Sequence, residues 1–235
     1  MNILALESSA KAASCALWAD GAPLASSWQC AGLTHSRTLL PMVEDMLRNC
    51  ERTLEDIGAL AVAAGPGSFT GLRIGIAAVK GLAWAADKPC IPVSTLEAMA
   101  WPLAHLEGLI VCAMDARRAQ VYNAVFRAES GTLTRLRDDR PIALADTAAD
   151  LSNFDGLLTI VGDGAELLYD CLAARNVPCR LAPVHLRRQS AIGVAMAAER
   201  LYPHAAVSSQ DLTPVYLRLS QAERERLERM RNTFT

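Results

Sequence analysis

The stretch ALAVAAGPGSFTGLRIGIAAVKGLAWAA, residues 59–86, decides the fold. It opens with small and branched apolar residues, Ala59–Ala64, which read as a buried strand. It breaks at Gly65-Pro66-Gly67-Ser68-Phe69-Thr70-Gly71. It then continues as a helix from about Thr70 to Ala86, stopped by Asp87-Lys88-Pro89. A buried strand feeding a helix through a glycine turn is a unit of α/β architecture. The helix is slim, with Gly71, Gly75 and Gly81 separated largely by alanines, although each internal glycine costs roughly 1 kcal/mol against Ala. Such a helix suits close approach of another backbone, from this chain's own sheet or from another subunit. Leu72, Ile76, Val79 and Leu82 form a separate apolar stripe on it.

Upstream, Asn2–Glu7, Ser14–Ala19 and Pro23–Gln29 read as three meander strands, with Asp20-Gly21 as a hairpin signal. Thr34-His35-Ser36 offers caps for a helix whose Leu39, Leu40, Val43, Met46, Leu47 and Cys50 keep a 3.6-residue period. Downstream, Cys90–Val93 is a short strand, and Ser94 or Thr95 caps a third helix over Leu96 and Met99. At Leu109 the pattern starts again. Leu109–Met114 ends in Asp115 as the first strand ends in Glu7. Val121–Arg127 and Thr132–Arg137 read as meander strands, and Thr147–Leu151 as a weak helix. Leu157–Val161 is a buried strand closed by Gly162-Asp163-Gly164, with helices over Ala165–Arg175 and Ser190–Leu201. Meanders followed by helical crossovers imply mixed sheets. The expected organisation is one half over residues 1–104, a smaller half over 105–220 and a charged tail over 221–235. Gln221–Arg231 of that tail carries three Glu and four Arg.

The 235 residues are 51% apolar and 20% charged, enough to bury a full core. With 23 cations, 25 anions and net charge −2, the chain is not a generally basic nucleic-acid binder. Twenty of the cations are Arg, which reads as a bias of nucleotide composition. Met1–Glu7 lacks the basic region of a secretory signal, and the charge-free run Ile57–Leu72 is too short and broken to span a bilayer. Seven cysteines without a CxxC pair read as reduced, mostly buried thiols of a cytoplasmic protein. His35, His105, His185 and His204 are isolated, and His105-Leu106-Glu107-Gly108 has no second His at helical spacing, so no metal site is expected.

Two groups of residues carry candidate chemistry. The segment Gly65, Pro66, Gly67, Ser68 and Gly71 lacks the frames of a P-loop, a GxGxxG fingerprint and a nucleophile elbow. It is either a tight turn with Ser68 or Thr70 as cap, or an anion site at a helix start. Glu7, Asp115 and Asp163 each follow an apolar strand, where open α/β sheets hold ligands. With Ser8, Ser9, Gly162 and Gly164 they compose either a nucleotide-phosphate cleft between the halves or ordinary strand-end turns. The 35–50 and 70–86 helices are either packed into the core or form a docking face; on the docking reading its residues are Leu39, Leu40, Val43, Leu47, Leu72, Arg73, Ile76 and Lys80. Arg117-Arg118 and Arg187-Arg188 are pairs able to touch phosphates, though paired arginines are usually a solvated face.

Seven segments taken in order resemble one family. They are ILALESS, HSRTLLPMVEDML, AAGPGSFTGLRIGIAAVKGLAWA, VSTLEAMA, AMDARRAQVYNAVF, VGDGA and TPVYLR, running from residue 3 to about 218. The family is TsaB, also called YeaZ, and the GPGSFTGLRIG segment is the most specific part of the resemblance. The resemblance implies a duplicated fold of the actin-like, Hsp70-like and sugar-kinase-like (ASKHA) class. It also implies a role in threonylcarbamoylation of the adenosine beside the anticodon in tRNAs reading codons that begin with A. The partners it implies are TsaD, as a heterodimer through first-half helices, the ATPase TsaE, and tRNA through the complex. Self-pairing through the same helices is expected when TsaD is scarce, and no membrane is involved.

The related TsaD carries a His-x-x-x-His metal motif after the same glycine helix. The corresponding positions here are Thr95 and Met99, neither of which binds a metal as imidazole does. The implied role is therefore a non-catalytic scaffold with no resident cofactor, ATP or ADP at the complex interface being left open. Two segments depart from the family pattern: Glu7-Ser8-Ser9 stands for Asp-Thr-Ser, and Ala119 stands for the Gly of Asp-Ala-Arg-Arg-Gly. The competing readings are a small ATPase or phosphotransferase using Glu7, Asp115 and Asp163, and a metallopeptidase, for which the sequence offers no ligand set.

Overall fold

The computed structural model describes residues 1–218, and the expected charged tail lies outside the described residues. Strands β1 (Asn2–Glu7), β2 (Ala13–Ala19) and β3 (Ala22–Gln29) form the expected meander. Asp20 and Gly21 take φ of +50° and +81°, the left-handed pair that matches the twist of flanking strands. Helix α1 (His35–Asn49), β4 (Ala59–Gly65), α2 (Phe69–Ala86), β5 (Cys90–Ser94) and α3 (Thr95–Ala100) follow. The sheet order is β3-β2-β1-β4-β5, antiparallel through the meander and parallel from β1 to β5.

The second half repeats the plan with β6 (Gly108–Asp115), β7 (Gln120–Glu129), β8 (Thr132–Ala143), α4 (Leu144–Leu151), β9 (Leu158–Val161), α5 (Ala165–Ala173) and β10 (Cys179–Leu181). Its order, β10-β9-β6-β7-β8, matches the first sheet strand for strand. Even the hairpin turn recurs, with Ser130 and Gly131 at φ +50° and +75°. The mixed-sheet, duplicated α/β class expected from sequence is thus the architecture. Four bounds differ. Strand β8 runs to Ala143 rather than Arg137, α4 starts at Leu144, α5 ends at Ala173, and β10 is a strand beyond those expected. Strand β8 extends through charged sequence because partners match its arginines: Arg135 meets Glu97 and Asp139, while Arg137 and Arg140 meet Asp150.

Helix α6 (Ala191–Leu201) crosses back. Its Val194, Ala195 and Ala198 pack with Ile3, Ala5, Ala16 and Ala61 on the first sheet. The chain then pairs Val207 with Cys90, and the Val215 amide donates to the Ala64 carbonyl at 2.7 Å. The first sheet is therefore covered by α6 on one face and by α1 and α2 on the other.

The slim side of α2 is used within the chain. A Cβ at Gly71 would lie 2.1 Å from the Ser8 carbonyl oxygen, and one at Gly75 would lie 2.4 Å from Ser8 Oγ. The loop after β1 thus rests against the helix where side chains are missing. Gly81, by contrast, has nothing within 4 Å of its Cβ position.

Candidate functional site

The loop after β1, the start of α2, the loop after β6 and the turn after β9 surround a cavity of about 310 Å³ between the halves. Ser9, Gly67, Ser68, Asp115, Arg117 and Asp163 line it. The three acids expected at strand ends therefore converge here, with Glu7 immediately beneath Ser9, whose amide donates to Glu7 Oε1 at 2.5 Å. Ser8 is turned away and donates from Oγ to the Gly71 carbonyl at 2.9 Å. Asp115 accepts from the Arg117 amide at 2.7 Å and from Arg117 Nη1 at 3.1 Å. Asp163 Oδ1 accepts from Gln189 Nε2 at 3.0 Å. Gly162 and Gly164 anchor that turn by donating to the Arg187 and Ala113 carbonyls at 2.8 and 3.0 Å.

Burial dominates the electrostatics. Glu7 is fully buried, which pushes its pKa up from 4.5 to about 7 against the opposing effect of the Ser9 hydrogen bonds, with Asp163 adding repulsion. Asp163 is raised chiefly by desolvation, with Asp115 nearby adding to it. Glu7 Oε2 and Ser9 Oγ are both buried without a hydrogen-bond partner in the protein. Chemically, the site holds one carboxyl able to keep its proton near neutrality beside two others at the cavity wall. Among the described residues no group of three or more His, Cys, Asp or Glu side chains is arranged to hold a metal ion.

The glycine segment serves as the turn. Ser68 caps α2 by accepting from the Gly71 amide at 3.3 Å, and its own amide donates to the Ser9 carbonyl at 2.7 Å. Gly65 takes φ +135°, and a Cβ there would lie 2.2 Å from the Val215 carbonyl oxygen. Pro66 is buried beside it.

The residues named for a docking face divide. Leu39, Val43, Leu47, Leu72 and Ile76 are 1%, 3%, 8%, 1% and 5% exposed, and all lie inside this chain's own core. The 3.6-residue stripe marks the face that meets the sheet, so those five are not available to a partner. Leu40 alone of the apolar set faces outward, at 46% exposure. It lines a groove between α1 and α2 together with Ser36, Ile74, Ala77 and Ala78. Arg73 and Lys80 are engaged by the returning chain: Arg73 Nε donates to Tyr216 Oη at 3.0 Å, and Lys80 Nζ donates to the Gln210 and Leu212 carbonyls at 3.0 and 3.2 Å. This strap, which contains the TPVYLR segment, has no counterpart among the expected elements. Lys11 and Tyr122, which are not among the expected site residues, also line the cavity. Thr95 and Met99, the two positions that the resemblance sets against the transferase's metal motif, are both buried, Thr95 with its hydroxyl unpartnered and Met99 within an apolar cluster.

Comparison with known proteins adds an independent finding. Residues 29–215 match the family model described as "TsaD: tRNA N6-adenosine threonylcarbamoyltransferase". The chain is 32% identical over 232 residues to the "tRNA threonylcarbamoyladenosine biosynthesis protein TsaB" of Bacillus subtilis, covering 97% of this chain and 99% of that protein. It is 33% identical over 221 residues to the protein of the same name in Escherichia coli, covering 93% and 95%. The solved structure of YeaZ from Pseudomonas aeruginosa superposes with a TM-score of 0.78 at 28% identity, over 92% of this chain and 99% of that one. A component of the (R)-2-hydroxyglutaryl-CoA dehydratase of Acidaminococcus fermentans shares the fold at TM-score 0.51 and 14% identity. The architecture is that of the ASKHA class.

Proposed function

The chain belongs to the TsaB family and to the biosynthesis of threonylcarbamoyladenosine in tRNA, and we propose that it acts there as a non-catalytic scaffold that binds and supports TsaD. The carrying observation is the pair Thr95 and Met99: where the transferase motif places imidazoles, this chain buries a hydroxyl and a thioether. Neither supplies a nitrogen ligand. The surface left for TsaD is the groove of Leu40, Ile74, Ala77 and Ala78 rather than the full helix stripe. Small side chains along α2 let a partner helix approach closely, and its apolar contacts would contribute roughly 25 cal/mol per Å² before association costs. TsaE, tRNA held through the complex and a cytoplasmic setting belong to the same reading, as does self-pairing through the same groove.

The test uses two outward substitutions, Leu40→Glu and Ala77→Glu, made together. Thermal melting should stay near that of the parent chain, while co-elution with TsaD on size exclusion is lost. Undiminished co-elution would remove the groove from the account. Ile76→Glu is not a substitute, because that buried position would unfold the chain.

The convergence of Asp115 and Asp163 on one cavity, with Glu7 beneath it, favours a second reading, an ATPase or phosphotransferase site binding ATP or ADP. ATP turnover by the purified chain that disappears in Asp115→Ala would support it.

A further inference from the structure

The arginines Arg117 and Arg118 have no place in the scaffold reading, yet the backbone goes to unusual lengths to present them. Arg117, Arg118 and Ala119 take φ of +65°, +55° and +53°, three consecutive non-glycine residues in the left-handed region. Backbone of this kind persists only where its surroundings over-determine it, and it concentrates at working sites. Here Asp115 holds the Arg117 amide, the Ala116 amide donates to the Gln120 carbonyl at 3.0 Å, and the Leu144 amide donates to the Ala119 carbonyl at 2.9 Å. Both arginines end up exposed.

A second feature adjoins this loop. Phe69 at the start of α2 and Tyr216 of the returning strap stack at 4.2 Å between ring centroids. The Arg73 guanidinium lies 4.1 Å from the Phe69 centroid and holds Tyr216 Oη. Tyr216 keeps 37% of its surface exposed. Two residues on, Arg218 Nη1 donates to the Ala116 carbonyl, which ties the aromatic pair directly to the arginine loop. Lys11 and Arg117 line the same cavity rim beside Ser68. Among the described residues Lys11, Arg73, Arg118 and Arg218 form no ion pair with a carboxylate, and Arg117 pairs only with Asp115. The opposing charges nearby are Asp115 and Asp163 at the cavity wall.

An exposed aromatic face backed by a guanidinium and flanked by cations, most of them without a carboxylate partner, is the combination that takes a base by stacking and its backbone by charge. We propose that the Phe69–Tyr216 stack with Arg117, Arg118 and Arg218 is a direct contact site for a single-stranded segment of RNA. The inference rests on the tRNA-modification reading and adds to it a contact made by this chain itself. The chain's net charge of −2 makes the contact local: a short stretch of nucleotides at one edge, not a general RNA affinity.

The experiment is fluorescence anisotropy of the full chain with an unmodified tRNA transcript across a salt series, alongside reconstituted modification with the transferase. Tyr216→Ala should weaken binding about tenfold at every salt concentration, the scale of one stacked base. Tyr216→Phe should keep the affinity. Arg117→Ala with Arg118→Ala should weaken binding and flatten the salt slope by roughly 1 to 2. Trp84→Ala removes an exposed aromatic away from this edge and should change nothing. Circular dichroism confirms that each variant is folded. If folded Tyr216→Ala and the double arginine variant bind like the parent, or the parent does not bind, the RNA site is overturned. The scaffold reading survives that result when modification still requires the chain.

Discussion

In the first half, helices of 15 and 18 residues cover one face of a five-stranded sheet; in the second, helices of 8 and 9 residues cover the matching face of a sheet with the same strand order. The outer strands differ too. Strand β3 carries no charge, while β8 carries two aspartates and three arginines, the arginines tied to Glu97, Asp139 and Asp150. A duplicated plan has thus been put to two uses. The first half keeps two long helices, the second of them rich in small residues, with an open groove between them, and the second half holds itself and its neighbour by ionic ties. Arg135 shows how: burial acts to lower its pKa, but Asp139 and Glu97 outweigh that and hold the guanidinium above its ordinary value. Glu97 belongs to α3 and Asp139 accepts from Ser94 at the end of β5, so this cluster joins the two sheets.

The comparison breaks most visibly at Gly71. Valine there would drive its Cβ into the Ser8 carbonyl, and the chain should lose more than about 3 kcal/mol or fail to fold, as read by urea denaturation. Retained stability would mean that the loop after β1 does not rest on α2.

Next in size is the pH dependence of the cleft. The Glu7 pKa is raised from 4.5 to about 7, so its neutral form is favoured by folding. The associated stability is complete below pH 4.5 and is lost as pH climbs to about 7, up to about 3 kcal/mol in all. Glu7→Gln should flatten that part of the stability-against-pH curve, and a curve unchanged by the substitution would place the titration elsewhere.

Arg135→Ala strips the counter-charge from Glu97 and Asp139. The groups are a fifth to a quarter exposed, so solvent softens the loss to about 2 kcal/mol in chemical denaturation. The smallest effect is a gain. Gly81→Ala adds a methyl in open space on a helix, and about 0.5–1 kcal/mol of stabilisation should follow. A loss there would show that even the outer side of α2 is in use.

These contrasts also explain what the sequence could convey. The first half was legible because β1 and β4 are built on apolar runs and its turns carry Asp20-Gly21 and Gly65-Pro66-Gly67. Strand β10 was invisible because Cys179-Arg180-Leu181 is too short to show a period. The end of β8 was missed because charges on an edge strand look like a loop until their partners are known. The three acids of the cleft were readable from their places after apolar strands. The docking residues were only half readable, since an apolar stripe marks burial without saying against what, and Leu39 and Ile76 turned out to face this chain's own sheet. The strap from Val207 to Arg218 lacks any periodicity, so the TPVYLR segment marked its presence but only the structure shows that it lies against α2.

The central claim is that this chain contributes a surface to a reaction carried out by TsaD. Its most direct test is reconstituted tRNA modification from the activated threonylcarbamoyl intermediate, with each protein omitted in turn. The account expects no modification when TsaD is left out and a severe loss when this chain is left out or replaced by the Leu40→Glu, Ala77→Glu double variant. Modification by this chain in the absence of TsaD would contradict it.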